Sequence, residues 1–357
     1  MVRKKIIIFR TDLIGDYLMS TALIHNIKNK FLDSDITIVC SKKNYKIVKL
    51  YNIFDTIIIY DKRFNFLKKI LLYFNIIRKR YFICICIDGK NFSIINSILL
   101  RAKYKFLLAY KKQKKILGYK FMLTRPFKFF IRFFTDCQYF DSNKPDPSIN
   151  HLPTIYSNLL KKIDFSFSSE HKYYFPEDPE LSMLFLNYFN KIVNDKYYLI
   201  HFDEKWLDIP EINIELTSQI LNFHKNLGHS LVLTSYDNKF TYFNNLKKKF
   251  TTINFLNDKI NSKVDNNNNK IFILENMSLS LFEKFISKSI LTIACHGLPI
   301  HICGSNFTHC VDIIEKEVID WVDCWVPKNT KYSRVYKTDL PTIFKNIEHL
   351  TKNKITN

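Results

Sequence analysis

The sequence predicts an α/β protein of two similar halves, each a parallel sheet with helices on its faces. Short apolar runs that suit buried strands alternate with segments whose apolar residues recur at helical spacing. The alternation stops at Phe175-Pro176-Glu177-Asp178-Pro179 and then restarts. At 357 residues the chain is too long for one ordinary domain and comfortable for two. The expected division is 1–175 and 176–335, with 336–357 as a helical tail.

In the first half, Ile6-Ile7-Ile8-Phe9 reads as a buried strand running into a turn. Leu18, Ala22, Leu23, Ile27 and Phe31 then share a helical face. Ile36 to Cys40, Thr56 to Tyr60 and Phe82 to Ile87 read as further strands, the last ending at Asp88-Gly89-Lys90, and Ile94 to Leu100 resumes helical spacing. Such alternation closes parallel pairs through right-handed crossovers. The stretch 121–175 is less regular: turn-forming residues at 141–149 precede a helical run from His151 to Leu160. The second half repeats the alternation. Helices are expected at Leu181–Ile192, Leu216–Phe223, Phe240–Phe250 and Leu279–Ser289, and strands at Tyr197–Phe202, Ser230–Thr234 and Ile290–Ala294. Pro299 to Cys303 opens another helix, Lys263 to Lys270 reads as a polar loop, and Thr342 to Leu350 as a last helix. Two such sheets facing each other would leave a cleft at the carboxyl ends of their strands, where open α/β sheets bind ligands.

Composition narrows the partners. Apolar residues make up 47% of the chain, enough for a substantial core. The net charge of +21 calls for a polyanionic partner. Residues 62–132 hold 19 Lys and Arg against one acid, Asp88. Aromatics are interleaved, as in Tyr104-Lys105-Phe106 and Arg125-Pro126-Phe127-Lys128-Phe129-Phe130, which suits an anionic membrane surface. Nucleic acid is disfavoured, because the charge is spread over a long α/β segment without a recognition motif. The longest apolar stretches are cut by charge, as at Leu67-Lys68-Lys69-Ile70, and the N-terminus makes a poor signal peptide. The expected location is the cytoplasm, peripherally on the inner face of the inner membrane. Eight cysteines without Cys-x-x-Cys spacing read as buried apolar residues, and no metal site is expected.

Three segments could carry chemistry. Arg10-Thr11-Asp12-Leu13-Ile14-Gly15-Asp16 follows the first strand and opens the first helix. Gly15 permits a tight turn, and Asp16 can cap the helix or act as a base. His201-Phe202-Asp203-Glu204-Lys205-Trp206 follows the first strand of the second half. Ala294-Cys295-His296-Gly297-Leu298-Pro299-Ile300-His301 opens a helix, whose free N–H groups can bind an anion. No Gly-x-Gly-x-x-Gly follows strand one, which disfavours a simple dinucleotide-binding domain.

The run Ile7 to Asp16, followed by Ser20-Thr21-Ala22-Leu23, resembles the opening motif of glycosyltransferase family 9, the lipopolysaccharide heptosyltransferases. In that family an arginine, a short linker and Gly-Asp precede a Thr-Pro-Ala-Leu-like helix; here the proline is absent. Asp33 to Thr37, Phe54 to Ile58 and Tyr81 to Gly89 continue the resemblance through most of the first 120 residues. The resemblance implies a GT-B-type fold of two Rossmann-like domains. It implies inverting transfer of heptose, or a related sugar, from a nucleotide-sugar such as ADP-heptose to the lipopolysaccharide inner core. The acceptor would be a phosphorylated glycolipid of the Kdo-lipid A type, and no cofactor beyond the sugar donor is needed. By the same resemblance Asp16 is the base, and Lys205 meets the donor phosphates with Gly297, His296 and His301. Asp237 lies where the family places an acid on the ribose. Arg10 and Gly15, with Lys62, Arg63, Lys68 and Lys69 after the third strand, would hold the acceptor. His296 stands where the family has aspartate, which raises the alternative of a glycolipid or nucleotide-sugar binding protein of the same fold. The last helix is expected to pack back on the first domain.

Overall fold

In the computed structural model the described residues are 3–116, 119–125, 128–141, 143, 146–168, 173–176, 179–193, 196–235, 240–264, 270–326, 328 and 330–355. They form two compact units: Met1–Pro176 with Asp320–Lys328, and Glu177–Ile319 with Asn329–Asn357.

Unit 1 runs β1 (Lys4–Arg10), α1 (Ile14–Lys30), β2 (Ser34–Ser41), α2 (Tyr45–Val48), β3 (Thr56–Tyr60), α3 (Phe66–Ile77), β4 (Arg80–Cys86), α4 (Asn91–Leu99), β5 (Arg101–Ile116), β6 (Tyr119–Arg125), α5 (Lys128–Ile131), β7 (Asp136–Asp141), α6 (Pro147–Asn150) and α7 (Leu152–Asn158). Its sheet is ordered β3-β2-β1-β4-β5-β6, with β7 also paired to β5. All pairs are parallel except the β5–β6 hairpin. Ile6 to Phe9 are completely buried, as a central strand covered on both faces requires. Strand β7 lies in the stretch 121–175 that sequence periodicity left irregular, whereas most of the hairpin precedes it, where no strand was expected.

Unit 2 runs α8 (Pro179–Ile192), β8 (Tyr197–Phe202), α9 (Ile212–Leu227), β9 (Ser230–Ser235), α10 (Thr241–Lys247), β10 (Thr251–Leu256), β11 (Lys259–Val264), β12 (Ile271–Glu275), α11 (Leu279–Lys288), β13 (Leu291–Cys295), α12 (Leu298–Asn306) and β14 (Cys310–Ile314); the chain then passes through α13 (Ile319–Asp323), which belongs to unit 1 from Asp320 on, and returns as β15 (Tyr332–Tyr336) and α14 (Leu340–Ile355). The sheet order is β11-β10-β12-β9-β8-β13-β14-β15, antiparallel only at β10–β11. Lys263 and Val264, expected in a polar loop, end the exposed edge strand β11.

Two chain segments depart from expectation. Residues 320–328 join unit 1, where Trp321 and Trp325 pack on Phe140 with ring centroids 5.6 and 4.9 Å away. The Leu152 N–H donates to the Cys324 carbonyl at 2.8 Å, and the Tyr173 hydroxyl to that of Trp325 at 2.6 Å. The last helix, expected on the first domain, belongs to unit 2. Leu340, Ile343, Phe344 and Ile347 of α14 bury against the same core as Ile220 and Phe223 of α9. A helix follows its apolar stripe, and this stripe is absorbed by its own unit.

Candidate functional site

Each sheet has a point where successive strands depart to opposite sides. In unit 1, β2 lies on one side of β1 and β4 on the other. In unit 2, β9 lies on one side of β8 and β13 on the other. Crevices form outside the carboxyl ends of strands at such points. The loops there are 11–13 and 87–90 in unit 1, and 203–211 and 296–297 in unit 2. These loops carry the sequence motifs.

In unit 1 the loop after β1 is tied from within. Arg10 is 1% exposed. Its guanidinium donates to the Ile87 carbonyl at 2.8 Å and to the Asp16 carbonyl through Nε at 2.9 Å, and also meets the Asp12 carboxylate at 3.4 Å. A buried guanidinium must satisfy its N–H groups locally, and Arg10 does so within the loop. Asp88 holds the loop's other side. Its carboxylate accepts from the Thr11 N–H at 3.0 Å, the Thr11 hydroxyl at 2.6 Å, the Ser93 hydroxyl at 2.6 Å and the Lys90 N–H at 3.0 Å. Gly89 beside it has φ +61°, and a Cβ there would lie 2.5 Å from the Tyr110 ring. Asp88→Ala strands these donors, so the unfolding free energy should fall by about 3 kcal/mol in denaturant titration. An unchanged midpoint would show that the loop does not depend on Asp88.

Asp16 stands in the first turn of α1, partly exposed, and accepts from the Leu13 N–H at 3.2 Å. It thus caps the helix while one side remains open, so capping and proton transfer are compatible. Gly15 is the second residue of α1 and does not adopt the left-handed backbone, so the tight turn it was expected to make is absent. Asp12 lies in the same loop, between Arg10 and Asp16, and was assigned no role from the sequence. Burial, reinforced by Asp88 and Asp16 and opposed by Arg10, pushes its carboxyl up to about 7.

Lys62 and Arg63 follow β3, the edge strand, with β2 between it and β1. Arg63 is exposed and paired with Asp61 at 2.8 Å. Lys68 and Lys69 lie on α3, with the Lys68 ammonium 4.2 Å from the Phe64 ring centroid.

In unit 2 the turn after β8 is pinned by its neighbours. Trp206 is fully buried and donates from Nε1 to the His201 carbonyl at 3.0 Å. Asp203 caps the turn through the Lys205 N–H at 3.1 Å, and the Tyr242 hydroxyl donates to the Asp203 carbonyl at 2.8 Å. Lys205 is thereby aimed outward: its side chain is 39% exposed and its ammonium lies 3.5 Å from Asp203. The same ammonium is 2.9 Å from where a Cβ on Gly297 would stand. Gly297 is the N-cap of α12, with φ +155° and ψ −146°, a region open only to glycine. Pro299 at the second helical position has no N–H to satisfy. A lysine ammonium against a helix N-terminus is an anion site.

His296 keeps its place beside this site. Its Nδ1 lies 2.9 Å from Asp312 Oδ2, a fully buried carboxylate on β14 that also accepts from the Tyr332 hydroxyl. His301 is buried in α12 with its ring centroid 6.2 Å from that of His296. Asp237 lies outside the described residues. Among those residues, no group of three or more His, Cys, Asp and Glu could hold a metal ion.

His201 and His301 are held neutral. Burial, with the Lys205 charge adding, lowers both to about 3, and His296 also lowers His301. Unfolded histidine titrates near 6.5, so between about 3 and 6.5 the unfolded chain binds more protons and stability falls as pH falls. Asp12 acts oppositely: its contribution is full below the unfolded value and is lost as pH rises through about 7. Unit 2 should therefore lose about 2 kcal/mol per histidine by pH 5. Melting of the native chain and of His301→Gln at pH 7 and pH 5 reads this; equal acid losses in both would remove His301 from the effect.

No protein-family model and no curated protein sequence matches the chain. Solved structures do. A glycosyl transferase family 9 protein from Veillonella parvula superposes with TM-score 0.66 at 13% identity, over 98% of this chain and 89% of that one. The E. coli ADP-heptose lps heptosyltransferase II gives 0.64 at 11%, over 98% and 99%. E. coli heptosyltransferase WaaC with ADP gives 0.62 at 11%, over 99% of each. The chain has the GT-B fold of these heptosyltransferases. No described helix is long and apolar enough to cross a membrane.

Proposed function

We propose that the protein is an inverting glycosyltransferase that moves heptose, or a related sugar, from an ADP-activated donor to the phosphorylated inner core of lipopolysaccharide, at the cytoplasmic face of the inner membrane. The observation that carries this reading is the Lys205 ammonium set against Gly297 at the start of α12. A diphosphate leaving group develops negative charge and needs a preorganised cation and helix terminus more than a proton. His296, next to Gly297 in the chain, is braced through its Nδ1 by Asp312.

Unit 1 supplies the base. The Asp16 carboxylate takes the proton of the acceptor hydroxyl as that oxygen bonds to the anomeric carbon. The bond from that carbon to the diphosphate oxygen breaks, and the nucleoside diphosphate leaves with the electron pair. One displacement inverts the anomeric centre, and no second carboxylate is required as an acid. The fold shared with heptosyltransferases supports this chemistry, and the Gly15-Asp16 motif supports its assignment.

The test is acceptor-dependent ADP release with ADP-heptose and Kdo-bearing lipid A, followed by mass analysis of the lipid. Release coupled to a heptose-sized mass gain is expected. Silence across a panel of nucleotide sugars and acceptors, with ADP still bound, would instead identify a binding protein of the same fold.

A further inference from the structure

Helix α3 is apolar on the side it turns to the core and also on the side it turns to solvent. Toward the core, Ile76 is fully buried, with Leu72, Tyr73 and Ile77 against the same cluster as Phe92. Outward, Phe66, Leu67, Leu71 and Phe74 are 75, 70, 64 and 59% exposed. Residues 66, 70 and 74 form one row and 67 and 71 the next, so the four exposed side chains make one apolar patch, bordered by Asn75 and Arg78 where the two rows continue. A surface helix in water ordinarily sets charged residues there. A contiguous exposed apolar patch marks a place of association. Beside it runs an open groove of about 680 Å³, lined by Ile57, Ile59, Phe64 and Leu71 together with Lys42 and Lys68.

Charge selects the occupant. From Lys62 to Ile87 there are seven Lys and Arg and no acid, and the preceding Asp61 is already paired with Arg63. A second copy of the chain would bring like charges together. An anionic bilayer offers hydrocarbon for the patch and phosphates for its fringe at matching depths.

We propose that α3 seats the protein on an anionic bilayer: the Phe66–Phe74 face enters the acyl boundary, while Lys62, Lys68, Lys69 and Arg78 to Arg80 meet headgroup phosphates. Lys68 and Lys69 then serve the membrane rather than the acceptor. The inference extends the proposed function, whose acceptor resides in such a surface, but it rests on the face of α3 and not on sugar transfer.

The experiment uses the full chain and vesicles of phosphatidylcholine with phosphatidylglycerol, free of glycolipid and sugar donor, so its result is independent of transferase activity. The native chain should sediment with mixed vesicles, less with phosphatidylcholine alone, and less at high salt. Changing Phe66, Leu67, Leu71 and Phe74 together to Gln should weaken binding at least about a hundredfold. It leaves the core-facing Ile76 and Leu72 in place, and circular dichroism checks folding. In a second variant, Phe74→Trp, emission should shift to the blue on vesicle addition and be quenched by brominated acyl chains. Native-like binding by the quadruple variant, or no spectral change at Trp, overturns the proposal. Binding that appears only when glycolipid is added overturns it in favour of the acceptor's own chains. A blue shift with rising protein concentration and dimer-sized light scattering, without vesicles, overturns it in favour of a second copy.

Discussion

Asp16→Asn is expected to leave the protein folded and to cut the rate of sugar transfer by about 10²- to 10⁴-fold, the range for loss of a general base. The amide oxygen of asparagine can still accept from the Leu13 N–H, now at 3.2 Å from the carboxylate, so α1 keeps its cap. Stability should change by less than about 1 kcal/mol. The donor site proposed in unit 2 is untouched, so the donor KM should hold while kcat falls. Single-turnover transfer with native and variant protein measures this directly. Native-like turnover in the variant would reduce Asp16 to a cap and move attention to Asp12, the other carboxylate of the loop, whose burial pushes it up to about 7.

Gly297→Val is expected to abolish donor binding at working concentrations. Valine brings two penalties at one position. The backbone at φ +155° and ψ −146° is open only to glycine, and holding another residue there costs about 1–3 kcal/mol. The new Cβ would also stand 2.9 Å from the Lys205 ammonium and drive it from the helix terminus. Together these should raise the ADP dissociation constant by about a hundredfold, since each 1.4 kcal/mol is tenfold. Lys205→Met separates the two effects: it removes the charge without backbone strain, so it should weaken ADP binding with stability retained. Calorimetric titration of ADP into each variant gives the answer. Unaltered affinity in both would mean that the Lys205–Gly297 corner is not the phosphate site.

The fold class was legible in the sequence because it is written in local periodicity. Ile6 to Phe9 and Tyr197 to Phe202 are apolar runs that only a covered strand needs, and each is followed by helical spacing. The chemistry-bearing loops were legible for the same reason, since each motif directly follows such a run. Gly297 and Lys205 were singled out by the family resemblance of the segments that follow two such runs, and the structure adds that they adjoin.

What tertiary structure alone decided are relations between distant residues. Asp88 reaches Thr11 across 77 positions because β4 lies beside β1, and Asp312 reaches His296 because β14 lies beside β13. Strand order is set by how the whole sheet buries its faces, and no local spacing encodes it. The same holds for the partners of Arg10, which burial beside β4 brings to the Ile87 and Asp16 carbonyls. It holds for residues 320–328, which return to unit 1 through the Trp321 and Trp325 side chains. It holds most of all for α3. A helix with more apolar surface than one core-facing stripe needs cannot state which part of it the core will cover, because that depends on the area the neighbouring elements leave over. Here the core takes Ile76 and leaves Phe66, Leu67, Leu71 and Phe74 in the open.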